Sequence, residues 1–302
     1  MNGTAPLRRA LLANAVFSLA TGALMASAPG LVGRWIGVGV AWPLRVLGVA
    51  LVGFAALLVF AAGSPRRRAP LALLATFGDF GWVAATIGLF ALAPHTLSSP
   101  GWVIAWAVAA VVLACGVGQA AGLRRMYLCP GPRSGGWQRL CFEADAPADA
   151  HDLWRVLRDA GRIHEFSPNL RESGCAADER GEADAVRVCR DHAGRSWSER
   201  LRFNDEALEL EAEFDPAEPG FPFPFRGMRG GWSVRPAGAS SGIRMWLDVV
   251  PRRALPGWVT IPLMEWAFAR TFRVIAGNMA AEAAGTTGAS PAQSGALPVR
   301  LC

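Results

Sequence analysis

Lysine is absent from these 302 residues, so all thirty basic side chains are arginine. We read that as compositional bias rather than chemistry. Acid is nearly missing from residues 1–125, which hold nine arginines and one acidic residue, Asp79. So sparse a charge cannot cover a water-soluble surface. Residues 126–302 carry 21 arginines and 23 acids, the balance of a soluble domain. The net charge of +6 therefore belongs to the first half. That speaks against a nucleic-acid partner, which needs a basic face on the folded domain. Histidine is scarce at four residues, and the six cysteines show no CxxC and no metal-ligand spacing with them. Neither a metal site nor a disulfide framework is expected. The chain also lacks a glycine-rich phosphate loop and a Ser/His/Asp set, which weighs against an enzyme and leaves no cofactor implied.

What the first half does have is long apolar runs. Four of them, at about 7–28, 44–62, 70–92 and 101–122, are long enough to cross ~30 Å of hydrocarbon. Proline- and glycine-bearing breaks separate them. The first also resembles a signal peptide, ending in Ala26, Ser27 and Ala28, but Pro29 disfavours cleavage there and an uncleaved helix is expected. With four crossings, seven arginines fall on one side and two, Arg34 and Arg45, on the other. The arginine-rich side is cytoplasmic, so both ends face the cytoplasm of an inner-membrane, multi-pass protein. The cysteines of the second half should then stay reduced. Asp79 lies inside the third run with Thr76, Val83 and Thr86 on one helical face, and Asn14, Ser18 and Thr21 form a similar stripe on the first. A carboxylate in a membrane is a functional suspect. The reading favoured here is an amide-paired Asp79 that holds helices together, since the other runs supply no second ionisable group for a relay.

After "CPGPRSGG" the hydrophobic period changes from helical to two. Strands are predicted at 137–144, 169–175, 184–191, 195–204, 207–215, 228–236 and 242–250. A helix follows the first strand, and a long amphipathic helix spans about 256–284. The domain boundaries read as 1–125 for the membrane half, 126–136 for a linker, 137–284 for the soluble domain and 285–302 for a small, polar, disordered tail.

That order of elements, with "DAPADAHDLWRVLRDAGRIHEFSPN" and "AVRVCRDHAGRSWSERLRFNDEALELEAEF", resembles the SRPBCC superfamily, and most of all its polyketide cyclase/dehydrase and lipid-transport branch. Phe166 stands where relatives often carry Trp. The resemblance implies an α+β helix-grip fold: a curved antiparallel sheet around the long C-terminal helix, with a cavity between them. No family is identified for the four-helix membrane half.

Alternation then selects the side chains facing that cavity. The strands turn inward Trp197, Glu199, Leu201 and Phe203, then Leu210 and Phe214, then Met245 and Leu247; the helix adds Phe268 and Phe272. Glu199 is the polar exception. It needs a partner such as Arg187 or Arg270, a ligand hydroxyl, or a proton. With His164 in the turn after the first helix, it is the weak catalytic candidate. "FPFPFRG" puts Phe221, Phe223 and Phe225 between two strands, and Trp258 opens the long helix beside Arg252 and Arg253. These apolar rims are expected to form a pocket lip or a membrane contact, with capping of the domain's own core as the other reading. Three functions stay open: binding of a hydrophobic small molecule or lipid by a membrane-anchored domain, a cyclase/dehydratase-like enzyme, and an interaction module without ligand. The sequence does not give the oligomeric state.

Overall fold

The computed structural model describes residues 4–129, 136–175, 184–238, 240–252, 256–285 and 296–302. The chain divides into two compact units, Met1–Tyr127 and Leu128–Cys302.

The first unit holds four helices long and apolar enough to cross a membrane: α1 (Ala5–Ser27), α3 (Trp42–Ala62), α4 (Pro65–Leu92) and α5 (Ser99–Met126), with α2 (Pro29–Ile36) between the first two. The break at Pro29 is thus the first turn of a short helix, which closes at Gly37 with φ +81°. Proline at the start and a left-handed glycine just past the end are what such a helix uses. Helices α1 and α3 approach through glycines. A Cβ on Gly22 would lie 2.8 Å from the Gly48 carbonyl oxygen. In lipid, where apolar side chains gain little from mutual burial, such close backbone approach is what holds helices together.

The second unit is an eight-stranded antiparallel sheet in the order β2-β3-β4-β5-β6-β7-β1-β8. Its elements are β1 (Gln138–Ala146), α6 (Ala150–Arg158), α7 (Ile163–Phe166), β2 (Leu170–Cys175), β3 (Asp184–Asp191), β4 (Ser196–Asn204), β5 (Glu209–Phe214), β6 (Phe225–Ala237), β7 (Ser240–Pro251), α8 (Gly257–Ala283) and β8 (Val299–Leu301). Strands β4 and β5 alternate buried and exposed residues as their period-two pattern requires. Asp149 caps α6 by accepting from the His151 backbone N–H at 2.8 Å. Helix α8 packs on β1 and β7, where the Phe272 ring sits 6.0 Å from Phe142 and 5.6 Å from Trp232. This is the helix-grip α+β arrangement.

Two expectations need correction. The disordered tail ends as β8, whose residues 299–301 pair with Ala144, Glu143 and Phe142. Without that pairing β1 would leave a row of unpaired backbone groups at the sheet edge, and the alternating "LPVRLC" suits the position. The same pairing sets Cys302 beside Cys141, with Cα atoms 5.3 Å apart and a disulfide between them. These two cysteines are therefore not the free thiols expected. Of the linker, residues 130–135 lie outside the described residues, as do 286–295 of the tail and Arg253 of the rim.

Candidate functional site

The second unit has an open cavity of about 600 Å³ between the sheet and α8. Small residues lie in its floor. Ala212 on β5 and Gly230 on β6 are cross-strand neighbours in mid-sheet, and both line it. A larger residue at Ala212 would take up part of it, whereas at Gly230 a Cβ would lie 2.7 Å from Leu247 Cδ2. Aromatic and thioether groups supply the walls, among them Phe214, Phe223, Trp232, Met245 and Phe268.

One end of the cavity is ionic. Alternation along β3 turns Arg187 inward, where it faces Glu199 across the β3–β4 pairing. Both side chains are buried, and Arg187 donates to Glu199 Oε2 from Nε at 3.0 Å and from Nη2. Its Nη1 donates to the Ala160 carbonyl at 3.0 Å, and Trp197 Nε1 donates to Glu199 Oε1 at 2.9 Å. Burial would pull the guanidinium pKa down, but the neighbouring carboxylate outweighs it and holds Arg187 above its ordinary value. Burial also pushes the Cys189 thiol up, so it is no nucleophile at neutral pH. At the margin, Asp191 shapes the β3–β4 turn by accepting from the Ala193 and Arg195 backbone N–H groups at 3.0 and 2.9 Å.

Of the expected lining, the structure brings together Trp197, Glu199, Phe214, Met245, Leu247 and Phe268. Leu201, Leu210 and Phe272 are instead solid core, each no more than 2% exposed. Phe203 turns to the Trp154 ring and the Arg158 guanidinium. Alternation assigns a face of the sheet, but which part of that face the helix leaves uncovered is a tertiary fact. His164 does not line the cavity, so it does not join Glu199 there; its Nδ1 lies 2.8 Å from Ser173 Oγ. His192, in contrast, is exposed at the margin of the cavity, its Nε2 3.2 Å from the Pro168 carbonyl.

The "FPFPFRG" loop is turned inward, which corrects the membrane-contact reading. Phe225 is fully buried, Phe221 is 8% exposed against Phe214, and Phe223 lines the cavity. Phe223 stands at the centre of a T-shaped and tilted cluster, 5.5 Å from Phe221, 6.1 Å from Trp197 and 5.6 Å from Phe268. Trp258 is half-buried, whereas Leu263 and Trp266 of α8 are exposed, with Arg270 stacked on Trp266 at 5.0 Å. The sequence also missed Arg195, Asn169 and Thr271 at the margin, because they come from a turn, a loop and a helix that only the fold brings together. No group of His, Cys, Asp and Glu able to hold a metal exists among the described residues.

In the first unit, buried Asp79 accepts from Asn14 Nδ2 at 2.9 and 3.2 Å and from Gln119 Nε2 at 3.0 Å. Thr76 and Ser18 extend this network, donating to Gln119 and Asn14. It links α1, α4 and α5, as a polar tie between membrane helices does.

Residues 140–284 match the family model described as "Polyketide cyclase / dehydrase and lipid transport". Among solved structures, a Thermus thermophilus protein is 14% identical and overlays with a TM-score of 0.41, covering 50% of this chain and 99% of its own. The Zhui aromatase/cyclase from a Streptomyces species is 13% identical, with a TM-score of 0.41 over 51% of this chain and 99% of its own. A Thermobifida fusca protein is 20% identical, at 0.40 over 49% and 95%. No functionally curated protein matches the chain.

Proposed function

Since its residues 140–284 are a polyketide cyclase/dehydrase-type domain of the SRPBCC superfamily, we propose that this chain is a membrane-anchored binding protein for a hydrophobic small molecule or lipid. The ligand occupies the cavity between sheet and α8. The observation that carries this reading is the cavity itself: about 600 Å³, with five aromatic and three methionine side chains in its walls and as many polar or charged ones, Arg187 and Glu199 among them. Sites for small ligands have this size and make-up. Phe223 and Phe268 form the apolar wall, Asn169 and Thr271 offer neutral hydrogen bonds at the margin, and the Arg187–Glu199 pair closes the polar end.

Binding is favoured over catalysis by the state of Glu199. Both its oxygens already accept, from Arg187 and Trp197, so the carboxylate is not free to take a substrate proton. The four long apolar helices support an anchor, and the seven-to-two arginine asymmetry supports an inner membrane with both ends cytoplasmic.

Native mass spectrometry of the full chain extracted in mild detergent tests the reading. A co-purifying apolar ligand is expected on the wild type and absent from Ala212→Trp, which takes up part of the cavity. A protein with no retained ligand, unable to take up any of a panel of lipids and polycyclic aromatics, would overturn it in favour of an interaction module. Turnover of a bound ligand would favour the enzyme.

A further inference from the structure

Helix α8 turns two faces to different surroundings. One carries Met264, Phe268 and Thr271 to the wall of the cavity. The other carries Leu263, Trp266, Arg270 and Arg273, which fall within about 80° of arc on a helix that turns ~100° per residue. All four are exposed. Trp266 is 63% exposed and Leu263 50%, more than any other large apolar side chain described in the second unit.

The charge on this face is of one sign. The Arg270 guanidinium stacks on the Trp266 ring at 5.0 Å, and Arg273 Nε donates to the Leu297 carbonyl at 3.3 Å. Both partners are neutral, and neither arginine forms an ion pair among the described residues. The acids of the helix lie elsewhere: Glu265 is buried, and Glu282 is half-buried in the last turn. Arg252, on the approach to the helix, is exposed as well.

Single exposed apolar residues are ordinary on a soluble surface. A Trp and a Leu adjacent on one helix face, with arginines beside them, are instead the composition that seats at a bilayer interface. There the ring lies at the head-group level and the guanidinium reaches lipid phosphate. Two large apolar side chains fall well short of the ~800 Å² per partner that a stable protein complex buries. They suffice where the surface is already close at hand. Residues 127–137 alone join the last candidate span to β1, a reach of at most ~40 Å, so docking on the bilayer is an intramolecular step.

We propose that this face of α8 docks on an anionic bilayer surface, with Leu263 and Trp266 in the head-group region and Arg270 and Arg273 against lipid phosphate. The contact lies on the helix and not on the 221–225 loop. It rests on the membrane anchoring proposed above and not on any ligand of the cavity.

The test uses the full chain in vesicles of phosphatidylcholine mixed with phosphatidylglycerol, and of phosphatidylcholine alone. Leu263→p-benzoylphenylalanine sets a photoreactive group on the face and keeps Trp266 and the arginines. Val188→p-benzoylphenylalanine, at an exposed position of β3, is the control. After irradiation, mass spectrometry should find lipid adducts at 263 several times more often than at 188 in the mixed vesicles. Adding Arg270→Glu should lower the yield at 263 roughly 3- to 10-fold there, and high salt should act in the same direction. Arg273→Glu repeats the measurement where thermal unfolding shows that Arg270→Glu perturbs the fold. Flotation of the same vesicles reads the anchor separately. In protein that floats, adducts at 263 no more frequent than at 188, or indifferent to both arginine reversals, would overturn the docking. Cross-links from 263 to protein in place of lipid would assign the face to a partner or a second copy and overturn it too. Protein that does not float overturns the anchor, and the docking with it.

Discussion

Glu199 and Arg187 illustrate how one buried pair limits what its site can do. Glu199 is 5% exposed and Arg187 6%, so each depends on the other for its charge. Removing one partner strands the second. Glu199→Ala should therefore cost about 3–5 kcal/mol, lowering the Tm of the second unit by roughly 10 °C. Replacing both, as Arg187→Met with Glu199→Leu, should recover part of that loss, because no buried charge is stranded, although Trp197 Nε1 and the Ala160 carbonyl lose their partners. Differential scanning calorimetry of the three proteins checks this; a double variant no more stable than Glu199→Ala would refute it. Asp248 makes a second prediction, on pH. Its side chain is fully buried between Arg139 Nε at 2.6 Å and Arg229 Nη2 at 2.7 Å. Burial alone would raise its pKa, but the two arginines prevail and hold it below the ordinary 3.8. A depressed folded pKa contributes stability that is present above the unfolded value and lost as pH falls through the folded one. Asp248→Asn should thus be less stable than wild type by about 1–3 kcal/mol at pH 7, with the gap narrowing below about pH 4. Urea midpoints at pH 7 and pH 3 test the sign. A gap that widened in acid would contradict it.

The 221–225 loop carries its three phenylalanines to different fates, and single substitutions should separate them. Phe225 is fully buried at the start of β6, so Phe225→Ala should destabilise by about 3–5 kcal/mol. Phe223 lines the cavity and is only half-buried, so Phe223→Ala should cost much less stability and instead reduce retention of the ligand. Chemical denaturation and native mass spectrometry on the same samples give both readouts; equal destabilisation by the two changes would mean the loop is core throughout. How far such details are legible in the sequence varies by element. Strand β3 is legible to the residue, at 184–191, because its alternation is uninterrupted and turn residues bound it. Helix α8 is legible from the spacing of Met264, Phe268, Phe272, Ile275 and Met279. The "FPFPFRG" loop is not, since alternation with proline has no helical or strand period and gives no face. Strand β8 escapes a local reading because its pairing depends on a free edge of β1, 155 or more residues away. In the site, the face is readable and the hollow is not. Ala212 lines the hollow while Gly230 beside it makes room for Leu247, so small residues in a strand signal a cavity only once their neighbours are known.

At the scale of the whole molecule, two observations pull on the topology in opposite directions. Arginines Arg8, Arg9, Arg66, Arg67, Arg68, Arg124 and Arg125 share one side of a four-crossing chain, against Arg34 and Arg45 on the other. By the positive-inside rule that bias predicts a cytoplasmic second unit. The Cys141–Cys302 bond, in contrast, belongs to an oxidising compartment. The arginine bias acts during insertion and fixes the side before the second unit folds, whereas a disulfide forms afterwards in whatever redox poise it meets. We therefore give the arginines priority. On that reading the expected state in the cell is a pair of adjacent thiols at Cys141 and Cys302 that close into the disulfide on extraction. The six cysteines make the test quantitative. Cells quenched with acid, denatured and alkylated before any exposure to air should yield six modified cysteines per chain; an intact bond would leave four, Cys115, Cys129, Cys175 and Cys189. Reporter fusions after Cys129 and after Arg34 should read cytoplasm and exterior respectively. Four modified cysteines together with an exterior reporter after Cys129 would reverse the topology, and the cavity beneath α8 would then meet its ligand on the outer side of the membrane.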